Sequence, residues 1–434
     1  MFKHILTKIG IAAVLLALIA YGCDSVTEPD LTDTSETSET VEPGSIIEGS
    51  YIVVFNPGEK GKAVDFTQLE SLRSDIFASA SITESNVVAN YNVAVQGFAA
   101  QLDRQQLDAL ENDSRVAYIE PDRVVSLSPP CGTPRGGPCD PDDGDDDDGD
   151  DGDDGDDGDD GDDGDDGDDG DDGDDNGDSG DAIVPWGIER VGGAVNYSGS
   201  RVSWVIDTGI QLDHPDLNVD VSRGFTAFGN GPDSRSADDL NGHGTHVAGT
   251  IGAYNDIVGV ASGVSQVPVK VLDRRGSGSI SGVIAGVDYV SANASSGDVA
   301  NMSLGGGTSQ ALDDAVIAAA DKGILFAIAA GNSSTWASNS SPARVDHPNT
   351  WTIAATDVND NFASFSNYGP PTSFAAPGVS VESTWINSGY RTISGTSMAA
   401  PHVAGILIVN NGNVGSDGLS STAPDGERYP IASH

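Results

Sequence analysis

The chain has 434 residues, which is enough for one large folded domain and a smaller one. Its 68 acidic and 20 basic side chains give a formal charge of −48, which argues against nucleic acid or an anionic membrane surface as a partner. None of the three cysteines lies beyond residue 139, so a thiol enzyme is excluded from the long C-terminal region.

Residues 1–23 are typical of an export signal, with a basic start, an apolar run at Ile9–Ala20, and then Gly22 and Cys23. The apolar run is short for a transmembrane helix, so a permanent span is the weaker interpretation. The small residue before Cys23 and the polar segment after it resemble a bacterial lipoprotein signal, although Ala20 stands where that family usually has Leu. The sequence predicts export from a bacterial cell and leaves lipid anchoring at Cys23 and plain secretion open.

Residues 24–44 are rich in Thr, Ser, Glu and Pro, the composition of a disordered tether. Residues 45–128 then begin with the strand-like Tyr51–Phe55 and end with the strand-like Val116–Ile119. Between them we predict two helices and two extended segments, Phe66–Phe77, Arg104–Asn112, Val87–Val95 and Phe98–Leu102. The resulting β-α-β-β-α-β order predicts a small α+β domain of ferredoxin-like type. No catalytic constellation is visible in it.

Residues 129–182 are dominated by an Asp-Asp-Gly repeat that has no apolar side chain to bury, which predicts an extended, disordered linker. A calcium-binding repeat is the alternative, because carboxylate oxygens suit calcium. The repeat lacks the apolar position of the calcium β-roll, which leaves loose cation binding. Cys131 and Cys139 flank a Pro/Gly-rich stretch, and a small disulfide loop between them is left open.

Residues 183–434 alternate short apolar strands with helix-like stretches. The predicted strands are Val202–Ile206, Val267–Leu272, Val299–Met302, Ile324–Ala329 and Trp351–Ala355. The predicted helices are Val247–Ala253, Ile280–Ala294 and Leu312–Lys322. This alternation predicts an α/β domain with a mainly parallel sheet flanked by helices. Functional side chains in such sheets gather beyond the carboxyl ends of the strands.

Four polar side chains stand out in this region. Asp207 directly follows a predicted strand, His243 lies in Gly-His-Gly-Thr-His, Asn332 ends Ala-Ala-Gly-Asn, and Ser397 lies in Gly-Thr-Ser-Met-Ala. Each alone is typical of a turn, a cap or a structural residue. A serine nucleophile, however, needs a general base, a carboxylate that orients the base, and donors for the oxyanion. Together they predict Ser397 as nucleophile, His243 as base, Asp207 as orienting group, and Asn332 with the Ser397 N–H as oxyanion donors.

The same residues admit three other interpretations. Metal binding by His243 and His246 does not match the His-Glu-x-x-His arrangement of zinc proteases. A nucleophile-elbow hydrolase would need a second glycine after Ser397 and a serine that precedes the acid and the histidine. A surface binding or scaffold protein with a catalytically silent fold is the alternative from a different functional class.

The four segments, with the runs at 301–306 and 364–369, closely resemble the subtilase family, and in particular its proteinase K-like branch, over residues 183–408. The order Asp, His, Ser is that of subtilisin itself. The resemblance implies a subtilisin-like fold, a broad-specificity serine endopeptidase acting on protein and peptide substrates through an acyl-enzyme, no cofactor for the chemistry, and a monomer. It also implies a set of substrate-binding residues, Ser303, Leu304, Gly305, Ala329, Ala330 and Gly331.

Residues 45–128 resemble the inhibitor prodomain of the same family, notably in Gly97–Leu102 and Val116–Asp122. The resemblance implies that this unit assists folding, caps the active site as an intramolecular inhibitor, and is cut off by the enzyme itself. A free-standing binding module is the alternative. Residues 129–182 depart from the family by separating the two units, which leaves the processing point open; a cut near Ser128 would release the protease from any lipid on Cys23.

Two further departures concern calcium and the C-terminus. Asp216 matches a calcium ligand of the family and is the candidate metal residue for structural calcium. The loop at Asn255–Asp256 is shorter than in calcium-binding subtilisins, and Ser373 stands where proteinase K relatives have a ligand aspartate. We therefore expect the loss of at least one calcium site. After Ile408 the chain turns polar and Gly-rich, which predicts a reduced final layer of the fold.

Overall fold

The computed structural model describes residues 43–56, 65–127 and 182–434. The predicted export signal, all but two residues of the predicted tether and all but the last residue of the predicted linker lie outside these ranges, as do Cys23, Cys131 and Cys139. In the ranges just given, no helix is both long enough and apolar enough to span a bilayer.

The N-terminal part, residues 43–127, has its elements in the predicted order. They are β1 (Ile46–Phe55), α1 (Phe66–Ala80), β2 (Val87–Tyr91), β3 (Gly97–Gln101), α2 (Arg104–Glu111) and β4 (Val116–Ser126). β1 lies between β3 and β4 and is antiparallel to both, and β2 pairs with the far side of β3. The side chains of Leu69, Ile76 and Phe98 are buried in its core. β2 is shorter than predicted, and β4 is longer.

The C-terminal part, residues 182–434, holds the remaining helices and strands. The helices are α3 (Trp186–Arg190), α4 (His243–Gly252), α5 (Ile280–Asn293), α6 (Gln310–Asp321) and α7 (Thr396–Val409). The strands are β5 (Ser203–Asp207), β6 (Phe225–Thr226), β7 (Gln266–Lys270), β8 (Ser277–Ser279), β9 (Val299–Met302), β10 (Gly305–Gly306), β11 (Leu325–Ala329), β12 (Thr350–Thr356), β13 (Thr372–Pro377), β14 (Val381–Trp385), β15 (Gly389–Ile393), β16 (Gly415–Leu419) and β17 (Pro430–Ser433). Short 3-10 turns lie at Glu84–Asn86 in the N-terminal part and at Val221–Arg223, Pro232–Ser234 and Ala337–Asn339.

Nine of these strands form one sheet in the order β16-β17-β13-β12-β11-β9-β5-β7-β6. All neighbours in it are parallel except β16, which is antiparallel to β17 at the edge. Side chains alternate between the two faces along each strand. In β5, Trp204 and Ile206 pack with α5 and α6, whereas Val205 packs with α4 and α7. The predicted α/β fold with a mainly parallel sheet is confirmed.

The C-terminal segment closes the sheet with strands. β17 pairs in parallel with β13 at Ala375 and Ile431, and β16 folds back on β17. Tyr429 and Ile431 join Ala354 and Ala375 in a small apolar cluster. Residues 410–434 contain no helix, so two strands stand where the sequence analysis expected a reduced layer.

Helix α7 is buried along almost its whole length, from Thr396 to Ile408. His402 lies within it, and its Nδ1 atom is 2.8 Å from the carbonyl oxygen of Met398. Burial lowers the pKa of His402 to about 4, and burial with the nearby His243 lowers the pKa of His246 in α4 to about 3. Both imidazoles are therefore neutral in the folded chain near neutral pH.

We predict that His402 makes the folded chain less stable as pH falls from about 6.5 to about 4. In that window an unfolded histidine binds a proton and the buried one does not, which costs about 1.4 kcal/mol per pH unit. Above the window both states are neutral and the contribution vanishes. The test is urea unfolding near pH 5 and near pH 7 in a Ser397→Ala chain, which cannot digest itself. The same chain with His402→Asn keeps a donor toward Met398 and should lose less stability on acidification; an equal loss would contradict the prediction.

Candidate active site

The carboxyl ends of β5, β9 and β11 lie side by side, because β9 pairs in parallel with both of its neighbours. Asp207 is the last residue of β5, Ser303 directly follows β9, and Asn332 lies just beyond β11. α4 begins at His243 and α7 begins one residue before Ser397, and both helices pack on one face of the sheet. Hydrogen bonds among these predicted residues and their neighbours show how closely the fold brings them together.

Asp207 and His243 form a buried pair. The Nδ1 atom of His243 lies 2.8 Å from Oδ1 of Asp207, and the two side chains are 2% and 0% exposed. Oδ1 also accepts a hydrogen bond of 2.7 Å from the backbone N–H of Thr208. Since a carboxylate can only accept, Nδ1 carries the proton of this bond, and in the neutral imidazole Nε2 then carries the lone pair. Nε2 is buried without a hydrogen-bond partner among the described residues.

Local sequence explains how His243 reaches this position. Gly242 has a φ of +116°, a conformation that favours glycine, and a Cβ on Gly244 would lie 2.0 Å from the carbonyl oxygen of Gly209. Asp239 holds the turn, because its carboxylate accepts from the N–H groups of Gly242 and Thr245 at 3.0 Å each. α4 consequently begins at His243, four residues earlier than predicted.

Ser397 lies in the first turn of α7 and is bound to the segment after β9. Its Oγ donates to the carbonyl oxygen of Ser303 at 3.2 Å, and Oγ of Ser303 donates to the carbonyl oxygen of Ser397 at 2.8 Å. The side chain of Asn301 in turn donates to Oγ of Ser303 at 2.8 Å. The Ser397 hydroxyl is thus close to the predicted substrate strand and makes no hydrogen bond to His243 in this structure. Hydrogen bonds between nucleophile and base often tighten only when substrate is bound.

Asn332 is oriented by the residue next to Ser397. Its Oδ1 accepts from the backbone N–H of Thr396 at 2.9 Å and from the Thr396 hydroxyl at 2.8 Å. Because a backbone N–H only donates, the atom that faces it must be the oxygen, and the amide nitrogen of Asn332 is turned away from Thr396. This orientation leaves an amide donor beside the first turn of α7.

The predicted substrate-binding residues lie on two adjoining strand ends. Ser303, Leu304 and Gly305 follow β9, and Leu304 is buried. Ala329 ends β11, Ala330 is fully buried, and the N–H of Gly331 donates to the Thr396 hydroxyl at 3.0 Å. Each of the two runs therefore makes a hydrogen bond to the start of α7.

β4 of the N-terminal part inserts as a strand between β8 and β10. Val125 and Ser126 pair antiparallel with Gly306 and Gly305 on one side, and Val124 to Ser126 pair with β8 on the other. The N–H of Leu127 donates to the carbonyl oxygen of Gly276 at 2.9 Å. Val125 is fully buried in this arrangement. The two edges that flank β4 form a cleft that binds an extended chain through main-chain hydrogen bonds.

The beginning of the N-terminal part reaches the same cleft. The N–H of Gly44 donates to the carbonyl oxygen of Val124 at 2.8 Å, and the N–H of Val124 donates to the carbonyl oxygen of Ser45 at 2.9 Å. A Cβ on Gly44 would lie 3.1 Å from the backbone nitrogen of Gly307. Both ends of residues 43–127 therefore lie beside β10.

Carboxylates connect the N-terminal part to two helices of the C-terminal part. Glu120 accepts from the Ser309 hydroxyl and from the N–H of Gln310, at the start of α6. Asp122 accepts from the N–H and the hydroxyl of Ser281 at 3.0 and 2.6 Å, at the start of α5. Burial raises the pKa of Glu120, whereas its hydrogen bonds favour the ionised form. Negative side chains are favourable at helix N-termini, so β4 caps both helices.

Asp288 of α5 forms a reciprocal contact. Its carboxylate accepts from the N–H groups of Asn92, Val93 and Ala94 at 3.1, 2.7 and 2.7 Å. The hydroxyl of Tyr91, on the strand before this turn, donates to the carbonyl oxygen of Ser281 at 3.0 Å. One side chain of the C-terminal part therefore binds a whole turn of the N-terminal part.

His246 does not share a metal site with His243. Its Nε2 donates toward the carbonyl oxygens of Val381 and Arg391, at 3.0 and 3.1 Å. Across residues 43–56, 65–127 and 182–434, no group of three or more His, Cys, Asp or Glu side chains is placed to hold a metal ion. The described residues therefore do not support a metal site formed by His243 and His246.

Asp216 is surrounded by hydrogen-bond donors. Its Oδ2 accepts from the Tyr390 hydroxyl at 2.7 Å and from the N–H of Ile257 at 3.4 Å, and its Oδ1 accepts from the N–H of Asp256 at 3.2 Å. Calcium needs a shell of oxygen ligands rather than donors. The residues described around Asp216 therefore do not fit a calcium ion at this position, where the Tyr390 hydroxyl binds the carboxylate instead.

Sequence reasoning missed one wall of the cleft, the segment 276–279 that includes β8. Its run Gly-Ser-Gly-Ser carries small side chains, which leave the backbone open to a partner strand. This run of small residues was the sequence signal that could have revealed the strand. A second missed element is the hairpin β14–β15, which pairs Val381 with Ile393 and packs against α4.

Comparison with known proteins identifies the family. The description "Subtilase family" matches residues 199–410, and "Peptidase inhibitor I9" matches residues 50–128. The "Extracellular serine proteinase" of Thermus sp. (strain Rt41A) is 35% identical over 419 residues, which cover 91% of this chain and 88% of the relative. This chain belongs to the subtilase family. The predicted family, with an inhibitor prodomain and the enzyme class of a serine protease, is confirmed.

Other relatives of this subtilase are also described as proteases. "Alkaline serine exoprotease A" of Vibrio alginolyticus is 37% identical over 396 residues, and the match spans 88% of this chain and 64% of that protein's length. "Proteinase T" of Parengyodontium album is 44% identical over 237 residues. A solved structure described as "a cold adapted subtilisin-like serine proteinase" is 40% identical, with a TM-score of 0.50, and covers 58% of this chain and 97% of its own. The predicted subtilisin-like fold is thereby confirmed.

We predict that Asp288→Ala weakens the hold of the prodomain on the rest of this subtilase. The change removes the acceptor for three N–H groups. A hydrogen bond to a charged group contributes about 1.5 kcal/mol at the low end. The loss of that free energy corresponds to roughly tenfold weaker binding of the prodomain. We expect a shorter lag before freshly expressed chain breaks down casein. Asn293→Ala, at an exposed position on the same helix, is the control. An unchanged lag for Asp288→Ala would show that this contact is not limiting.

We predict that Tyr390→Phe destabilises the C-terminal part, because the buried Asp216 loses its shortest hydrogen bond. A lost bond to a charged acceptor costs about 1–3 kcal/mol. The measurement is the urea midpoint of the Ser397→Ala chain with and without the change. Tyr254→Phe removes the hydroxyl of an exposed tyrosine and should leave the midpoint in place. Equal midpoints for the two phenylalanine variants would contradict the assigned role of Tyr390.

Proposed function

We infer that this subtilase is an exported, broad-specificity serine endopeptidase made as a self-inhibited precursor. The observation that carries this inference is the buried contact of 2.8 Å between His243 and Asp207, together with a buried Nε2 that has no partner among the described residues. Buried polar atoms are nearly always paired, and an exception calls for an explanation. A proton-accepting role for Nε2 supplies one at His243, whose other ring nitrogen is held by a buried carboxylate. Subtilases need no cofactor for the chemistry.

The reaction begins when Oγ of Ser397 attacks the carbonyl carbon of the scissile peptide bond and His243 Nε2 takes the hydroxyl proton. For this the hydroxyl must turn from the carbonyl of Ser303, its present acceptor, toward His243. Asp207 keeps the proton on Nδ1 and stabilises the imidazolium that forms. The amide nitrogen of Asn332 and the N–H of Ser397 donate to the oxyanion.

The tetrahedral intermediate then collapses. The C–N bond breaks, His243 gives its proton to the departing amine, and the acyl group stays on Oγ of Ser397. Water attacks this ester with His243 again as base, and the serine is regenerated. The protein thus supplies a positioned base and fixed donors, and every proton that is taken up is later returned.

Substrate selection follows from the way β4 occupies the cleft. A substrate segment in place of β4 would pair with 276–279 on one side and with Gly305 on the other, through its backbone. Recognition by main-chain hydrogen bonds gives affinity with little dependence on sequence. Leu304 and the run Ala329–Gly331 line the pocket for the side chain before the cut. The expected substrates are proteins and peptides in extended form.

Inhibition and release follow from the same occupancy. While β4 fills the cleft no substrate strand can enter, so the prodomain keeps Ser397 silent. We place the self-cleavage near Ser128, one residue beyond the described end of the N-terminal part. A cut there leaves any lipid on Cys23 with the prodomain and frees a monomeric protease that carries the Asp-Gly segment. Without that cut a lipid on Cys23 would keep the enzyme at the envelope.

We predict that Ser397→Ala abolishes both casein breakdown and the appearance of a shortened catalytic species. In subtilisin itself, loss of the nucleophile lowers turnover about a millionfold. The control is Ser222→Ala, at an exposed serine far from the first turn of α7 in sequence. If Ser397→Ala and the parent behave alike, the enzyme hypothesis fails.

The same cultures test release. Membrane and soluble fractions of the parent are probed for the N-terminal and C-terminal parts separately. Release predicts a soluble, active C-terminal part and a membrane-bound N-terminal part. Active membrane-bound material in which the two parts are still joined would contradict it.

A further inference from the structure

The hairpin β14–β15 is a separate two-stranded sheet that lies outside the nine-stranded sheet. An isolated hairpin is marginally stable, so its position depends on what it packs against. It packs on α4, the helix that begins with His243. Its second strand ends at Ile393, four residues before Ser397. One small element therefore contacts the helix of the base and leads directly into the nucleophile.

Hydrogen bonds attach the hairpin to the first turns of α4. The hydroxyl of Thr384 donates to the carbonyl oxygen of Thr245 at 2.7 Å, and the hydroxyl of Ser383 donates to that of His246 at 2.8 Å. His246 returns a bond, because its Nε2 lies 3.0 Å from the carbonyl oxygen of Val381. Gly249 permits this approach, since a Cβ there would lie 2.2 Å from Oγ1 of Thr384. The separation of hairpin and helix is fixed at hydrogen-bond distance.

Trp385 adds an apolar contact at the residue before His243. A Cβ on Gly242 would lie 2.3 Å from Cε2 and Cζ2 of Trp385, so the indole ring occupies the space that glycine leaves. The ring is held from two further directions. It makes an edge contact with His246, with ring centroids 6.2 Å apart, and the guanidinium of Arg391 lies 4.8 Å from its centroid. Because these contacts fix the position of the Trp385 ring, the ring limits where the Gly242–His243 peptide can move.

We propose that the hairpin β14–β15 positions the general base relative to the nucleophile, with Trp385 as the principal positioning residue and Thr384 as the second. The proposal rests on the roles assigned above to His243 and Ser397. In this structure the Ser397 hydroxyl is bound to Ser303, so a productive bond to His243 requires the hydroxyl to turn and depends on where α4 and the start of α7 hold the two side chains. A misplacement of about 1 Å is enough to cost on the order of a hundredfold in rate.

The test compares kcat and KM for a peptide substrate in the full-length parent and in variants. A trace of parent enzyme completes processing in every sample, and its hydrolysis is subtracted. We expect Trp385→Ala to lower kcat about tenfold to a hundredfold while KM stays within about twofold, since the residue acts on the base and not on substrate binding. Trp385→Phe, which keeps a ring against Gly242, should recover most of the loss.

Two further variants keep the proposal testable if Trp385→Ala folds poorly. Thr384→Val removes one hydrogen bond with little change in shape and should lower kcat by about threefold to tenfold, also at constant KM. Glu382→Ala, at an exposed position on the same strand, is the matched control. If Thr384→Val matches Glu382→Ala in kcat, or if KM alone changes, the proposal is overturned. Hydrolysis by the parent, scored separately, tests the proposed function on its own.

Discussion

β9 pairs in parallel with β5 on one side and with β11 on the other, so the carboxyl ends of three strands lie within two strand spacings of each other. One spacing is about 4.8 Å, which places the residues that follow these strands within reach of the same substrate bond. The helices α4 and α7 then bring an imidazole and a hydroxyl to this edge through first turns built from glycine and other small residues. Sheet geometry sets the location, and small side chains permit the close approach.

The contact between the N-terminal and C-terminal parts relies on polar groups as much as on apolar ones. Glu120, Asp122 and Asp288 each satisfy N–H groups that would otherwise lack a partner in the protein. Water can hydrate such N–H groups when the parts separate, so release leaves no unsatisfied buried donor. An interface of this kind suits an inhibitor that must bind first and leave afterwards.

Much of this arrangement was predictable from the sequence, for physical reasons that differ between elements. β9 was predicted at its observed bounds because three of its four residues are apolar, as is typical of a short, fully buried strand. The start of α4 at His243 was not predicted, because glycine and histidine favour loops unless a carboxylate such as Asp239 and a packed neighbour hold the turn. β8 was not predicted, because a run of glycine and serine forms a strand only where it pairs with β4. The contact between Asp207 and His243 was predicted by residue type, whereas the tyrosine on Asp216 depends on a hairpin that is distant in sequence.

The bond between Gly44 and Val124 has a mechanical consequence. Force applied to the chain upstream of Gly44 acts at the strand that fills the cleft, next to the first of its bonds to β10. Hydrogen bonds loaded from one end break one after another, whereas bonds loaded along the strand must break together. A pull from the N-terminal side would therefore load the bonds between Gly44, Ser45 and Val124 before it reaches the core around Phe98.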